Sequence, residues 1–306
     1  MVRPAGFGFN EVAAETNVFQ RRPASGTEPA VHLDALREFN ALAAALRAAH
    51  LEVIVFEDQP EPHTPDALFP NNWVSFHSDG TLVLYPMCAP SRRLERRADI
   101  IDGLKERFGF QVFRILDLTD YEQDGRFLEG TGSLVFDHVN RCAYASISER
   151  TDPGLVEELL THLRYESALF RATDTTGKPI YHTNVVMTIG TGFAVIAAEA
   201  IEDSNERKRI VDRIRASGRS LIHIDRSQMR RFAANILEVE APDGVRIVAM
   251  STVARAALTA PQLEVLESSA KIVASPLPTI ESVGGGSARC MLAEIFLPRG
   301  AKPGAS

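Results

Sequence analysis

Three cysteines in 306 residues, Cys88, Cys142 and Cys290, are too few and too scattered for a disulfide framework or for a zinc site built from paired ligands. Such sparse use fits a reducing, cytoplasmic setting. Nowhere does a run of about 18 apolar residues occur, so no membrane span is expected. The stretch from Met1 to Gln20 also lacks the apolar core of a signal peptide. Charge of one sign is not concentrated either. The net −7 is spread along the chain, and the one dense basic stretch, Ser91 to Arg97, is interrupted by Leu94 and Glu95 as a solvated helix face would be. Neither nucleic acid nor a membrane surface is therefore an expected partner. With 45% hydrophobic residues the chain can bury a large core. No shift in composition marks an internal boundary, and residues 1–306 read as one domain.

What the sequence does contain is a repeated order of elements. Strands are expected over 72–77 and 81–86, a helix over 92–108 and a further strand over 110–115. The pattern recurs as 132–137, 142–148, 153–164 and 168–172; as 182–189, 192–199, 205–217 and 220–224; and as 235–240, 245–251, 261–269 and 271–274. A fifth, split copy would pair 290–297 with 4–9 and continue through a helix over 33–50 to a strand over 51–56. The loosely equivalent positions Asn72, Ser133, Asn184, Asn235 and Cys290 are spaced by 61, 51, 51 and 55 residues. The segments 10–31, 59–69 and 275–286, rich in Pro, Gly, Ser and Thr, read as long surface loops suited to a lid or rim.

Polar residues cluster at the start of each first strand: FPNNW (69–73), LEGTGS (128–133), YHTN (181–184), FAAN (232–235) and GGGSARC (284–290). If five units surround a pseudo-fivefold axis, these starts converge on one cavity. Asn72, Glu129, His182, Asn184, Asn235 and Cys290 would then face one another. A thiol, an imidazole and a carboxylate in one pocket are the parts of nucleophilic catalysis at an electrophilic carbon. Each residue also has a plainer reading. Cys290, after three glycines and beside Arg289, fits either an activated nucleophile or a small buried residue leading an apolar strand. His182 fits a satisfied core histidine, Glu129 a turn residue, and Asn71, Asn72 and Asn235 turn formers. Recurrence at equivalent places weighs toward function. His63, His77, His138 and His223 lack the paired spacing of metal ligands, and no metal or cofactor is expected.

These motifs, with PDALFPNNWVSFHSDGTLVLYPM (65–87), RRLERR (92–97), FAANILEV (232–239) and SARCMLAEIFLP (287–298), resemble the amidinotransferase-type pentein superfamily, and within it the citrulline-utilisation hydrolases. The resemblance covers almost the whole chain. It implies an α/β fold, a five-bladed pseudo-fivefold propeller of ββαβ units. It also implies Cys290 as nucleophile, His182 as acid/base and Glu129 as the orienting carboxylate. Relatives that cleave arginine place aspartates against the guanidinium, where this chain has Asn72 and Asn184. A carboxylate facing a neutral ureido group would be an unpaired buried charge, whereas an amide offers both a donor and an acceptor. Citrulline, cleaved to ornithine, carbon dioxide and ammonia, is accordingly the expected substrate, with Asn72, Asn184 and backbone donors near 284–286 around the oxyanion. Arg92 or Arg93 would hold the α-carboxylate, and the loop around Glu15 and Asn17 would close over the amine. The rival readings are a deiminase or dihydrolase acting on arginine or a modified arginine, and a non-catalytic propeller used for binding. Self-association into a homo-oligomer is left open.

Overall fold

A computed structural model describes residues 1–300. Four three-stranded sheets share one plan, an antiparallel pair followed by a strand parallel to its second member. The first joins Val74–Phe76, Thr81–Leu84 and Arg114–Asp117; the second Val135–Asp137, Cys142–Ser146 and Glu166–Phe170. The third joins Met187–Ile189, Phe193–Ile196 and Ser220–His223; the fourth Leu237–Glu240, Arg246–Ser251 and Lys271–Ser275. A parallel strand cannot follow through a tight turn, and in each sheet the crossover is a helix: Ala98–Phe108, Pro153–Leu163, Ser204–Ala216 and Ala260–Ser269.

Local chemistry sets these helices. In Pro153–Leu163 the Asp152 side chain caps the Leu155 N–H at 2.9 Å and proline opens the first turn. Leu155, Val156, Leu159, Leu160 and Leu163 form one buried face, packed beneath the second sheet.

The fifth unit departs from expectation. Among the described residues 290–297 and 4–9 form no hairpin. Instead Val2–Arg3 pairs in parallel with Phe56–Glu57 across the helix Glu28–Ala48, and Ile295 bridges to Phe76 of the first sheet. Pro4 has no N–H to give a ladder, and the neighbouring donors are used elsewhere: Ala5 N–H on Asp58 and Phe7 N–H on His32.

The expected strand starts are also corrected. Short helical turns precede strands at Pro70–Asn72, Gly130–Ser133 and Thr183–Val186, and Ala288–Met291 is a fourth such turn where a strand was expected. His182 and Asn184 therefore do not share a strand face; His182 stands at the N-terminal edge of a turn and Asn184 within it. The turns are tied in series. Thr131 Oγ1 donates to Asn71 O at 3.3 Å, Asn184 Nδ2 to Thr131 O at 3.1 Å, Asn235 Nδ2 to Asn184 O at 3.2 Å, and Ser287 N to Asn235 Oδ1 at 3.2 Å. Residues far apart in sequence are thereby held side by side. No helix among the described residues is long and apolar enough to cross a membrane.

Candidate active site

Cys290 lies in the turn Ala288–Met291, 3% exposed, and two amides are aimed at its sulfur. Asn235 Nδ2 lies 3.3 Å from Sγ and Asn184 Nδ2 3.6 Å. The preceding glycines allow close approach at two points. A Cβ at Gly286 would stand 2.9 Å from the Phe69 ring, and Gly285, at φ +66°, would bring one to 2.5 Å from Asn17 Nδ2. The segment before them is anchored by Glu38, whose carboxylate accepts the backbone N–H groups of Thr279 and Ile280.

Glu129 and His182 form a buried pair at the same site. His182 Nε2 lies 2.8 Å from Glu129 Oε2, both side chains being almost wholly buried. Glu129 Oε1 accepts the Cys88 N–H at 3.0 Å, and Arg150 Nη1 lies 3.3 Å from Oε2. Burial would raise the Glu129 carboxyl, but Arg150, the His182 hydrogen bond and Arg92 outweigh it and hold it well below the usual range. Burial also lowers His182, to about 4, against the pull of Glu129. Near neutrality the pair is thus carboxylate and neutral imidazole. An ionised Glu129 only accepts, so Nε2 carries the proton and Nδ1 is the basic atom.

A second charged group adjoins the first. Arg92 is 3% exposed and its Nε and Nη2 each reach Glu95 at 2.8 Å, while Nη1 donates to Asn72 Oδ1 at 2.7 Å. Burial pushes Glu95 up to about 7 despite Arg92. Asp66, also raised by burial, accepts Asn10 Nδ2 at 2.8 Å on Oδ2, whereas Oδ1 has no partner among the described residues. Asn72 Nδ2 likewise has none. That nitrogen and the His182 ring both crowd Gly132, where a Cβ would stand 2.5 Å and 2.6 Å from them, so the open donor lies beside the imidazole.

Cys290, His182, Asn72, Asp66, Arg92 and Arg150 line one small cavity, reached also by Asn17, Gln20 and Tyr181. The segment containing Ala13 and Asn17 is fastened over it: Arg150 Nη2 donates to Ala13 O at 2.6 Å, Gln20 Nε2 to Gly284 O at 3.0 Å, and Asn17 Nδ2 to Gly285 O at 3.4 Å.

Of the residues singled out in the sequence, Cys290, His182, Asn72, Arg92 and Asn17 line this cavity; Glu129, Asn184 and Asn235 support it from directly behind. Asn71 is fully buried beside it, with neither amide atom paired, and nothing around it accounts for that. Four readings change. Arg93 faces away, donating to Met87 O and pairing with Glu122. Arg289 turns to Glu294 at 3.0 Å rather than to the sulfur. Ser91 to Arg97 is no solvated face, because Arg92 and Glu95 are buried in it as a pair. Asn184 spends its N–H groups on Thr131 O and the sulfur, and Gly285 N–H on Glu281 O, so neither is free for an oxyanion. Arg150, Asp66 and Glu95 were not anticipated. Asp66 sits inside the PDALFPNN motif; Arg150 stands alone after a strand and carried no signal.

The profile of the family described as N,N dimethylarginine dimethylhydrolase, eukaryotic, matches residues 3–297. Solved structures share the fold. The apo structure of ArgZ, an arginine dihydrolase from the ornithine-ammonia cycle in cyanobacteria, has a TM-score of 0.73 at 18% identity, over 98% of this chain and 41% of that one. The chain thus spans well under half of that enzyme's length. It covers 98% of the N-terminal domain of ArgZ solved as a variant covalently bound to a reaction intermediate, at TM-score 0.72 and 19% identity over 97% of this chain. A variant dimethylarginine dimethylaminohydrolase solved as an adduct with S-methyl-L-thiocitrulline gives TM-score 0.62 and 15% identity, over 95% of this chain and 96% of that one. No curated protein sequence matches the chain.

Proposed function

The chain belongs to the N,N dimethylarginine dimethylhydrolase family, and on that premise we propose that it hydrolyses the ureido group of citrulline through a covalent Cys290 intermediate, its five units disposed about a pseudo-fivefold axis. The observation that carries the choice of substrate is the open Asn72 Nδ2 beside His182. Its orientation is fixed, since turning the amide over would set an N–H against the Arg92 guanidinium. An unpaired buried donor costs on the order of 1–3 kcal/mol. A ureido oxygen accepts from it; a guanidinium has no acceptor to offer.

In the reaction, neutral His182 takes the Cys290 proton at Nδ1 as sulfur attacks the ureido carbon, Asn184 and Asn235 having held that sulfur in place. Asn72 Nδ2 meets the oxygen as it gains charge. The imidazolium, held by Glu129, then gives its proton to the departing amine, releasing ornithine and leaving a carbamoyl group on sulfur. Water, deprotonated by His182, attacks that carbon; thiol and carbamic acid form, and the latter splits to carbon dioxide and ammonia. If ammonia leaves first, the same two steps run with ornithine released last. Arg92 and Arg150 are the cations available to the α-carboxylate, and the free Asp66 Oδ1 suits the α-ammonium.

A second reading, arginine or a methylated arginine as substrate, is favoured by the family's description and by the carboxylates of Glu129 and Asp66. Metal-free incubation with each amino acid separates the two. Ornithine from citrulline, with arginine consumed at least about tenfold more slowly, supports the first reading; citrulline accumulating from arginine overturns it.

A further inference from the structure

Resting on that reading, we propose that Glu95, which the reaction itself does not use, is a positioning residue that sets substrate preference by locking the Asn72 amide through Arg92. The connection is short and buried throughout. Glu95 Oε1 and Oε2 take Arg92 Nε and Nη2 at 2.8 Å each, and the third arm, Nη1, holds Asn72 Oδ1 at 2.7 Å. Glu95 is 4% exposed and, among the described residues, its carboxylate makes no other hydrogen bond to a side chain. A bidentate fork fixes the guanidinium plane as well as its place. With that plane fixed, Asn72 must turn its oxygen to Arg92 and its nitrogen to the cavity. Preference for a carbonyl oxygen over a cationic nitrogen is thus decided two residues away from the substrate.

Glu95→Gln isolates this effect at constant shape. A glutamine gives the guanidinium one acceptor and one donor, so one of the two Arg92 contacts becomes N–H against N–H. Arg92 tilts, and Asn72 is free to present either edge. The guanidinium ligand gains an acceptor while the ureido ligand loses a fixed donor.

The test is binding of citrulline and arginine, by calorimetry, to Cys290→Ala and to Cys290→Ala/Glu95→Gln. The ratio of the two Kd values is expected to move toward arginine by about fivefold or more, and Glu95→Asp, which keeps two acceptors, to restore most of it. Equal weakening of both ligands, or a ratio unchanged within about twofold, would overturn the proposal, since a merely structural Glu95 affects both alike. Should Glu95→Gln not fold, Arg92→Lys, which cannot grip Glu95 and Asn72 together, is read by the same ratio. Failure of the citrulline reading shows separately, as tighter arginine binding by Cys290→Ala itself, and leaves the shift readable.

Discussion

Two groups of buried charges in this molecule are built from the same residue types and differ in how completely they are satisfied. Arg219 and Asp137 form a fork with both contacts at 2.8 Å. The remaining capacity is also filled: Asn140 donates twice to Asp137, and Arg219 Nε donates to Gly190 O at 2.6 Å. Around Cys290, Arg92, Arg150, Glu95, Glu129 and Asp66 lie equally deep, yet Asp66 Oδ1 and Asn72 Nδ2 are open. A pair that ties the second sheet to the third unit can close on itself. A group that must receive a ligand has to leave atoms for it, and these mark where the ligand's atoms go.

Breaking the site at its nucleophile should give the largest contrast. Cys290→Ala is expected to lower turnover on the order of a thousandfold or more with little change in thermal unfolding. Arg219→Met should do the reverse. Leaving Asp137 buried without its partner is expected to cost about 3–5 kcal/mol in chemical denaturation, while turnover per folded molecule stays the same.

Asn72→Asp sharpens the comparison from inside the site. Replacing the open donor by a second acceptor is expected to shift the citrulline-to-arginine ratio of kcat/KM by about tenfold toward arginine. The pH profile gives a smaller effect with a definite sign. His182 acts as a base, and burial lowers it to about 4, so its own protonation should lower kcat/KM only as pH drops through about 4, any limb near 7 being that of Glu95. Stability contributed by this neutral histidine is present above its unfolded value near 6.5 and is lost as pH falls toward 4, so rates must be taken on protein shown to be folded. A limb near 6.5 that persists in Glu95→Gln would mean that His182 is not the base. Smallest of all, Arg93→Ala should leave KM within about twofold, because its partners are Glu122 and the 87–88 backbone.

The repeated order of elements was legible because each unit buries its own apolar face, as Leu155 to Leu163 do in periodic array. The residues at the unit starts were legible for a related reason: Asn72, Glu129, His182, Asn184 and Cys290 interrupt runs that are otherwise apolar. Their local shape was not. A polar residue before a strand reads as the strand's first member, whereas Thr183–Val186 closes as a helical turn with the Met187 N–H on Thr183 O. Arg150 and Glu95 stayed hidden because a lone charge in sequence carries no record of its distance from others. Glu95 lies opposite to what its sequence context implies: alternation with arginines reads as a solvated face, whereas the i, i+3 pair with Arg92 points inward. The missing hairpin of the fifth unit has the simplest cause, since the donors of Ala5 and Phe7 are claimed by Asp58 and His32.

The most direct measurement is mass analysis of peptides from protein quenched in acid during turnover of citrulline. The account predicts a carbamoyl-type adduct on Cys290, absent from Cys88 and Cys142 and not formed in His182→Ala. Steady turnover with an unmodified Cys290, or the adduct on another cysteine, would contradict it.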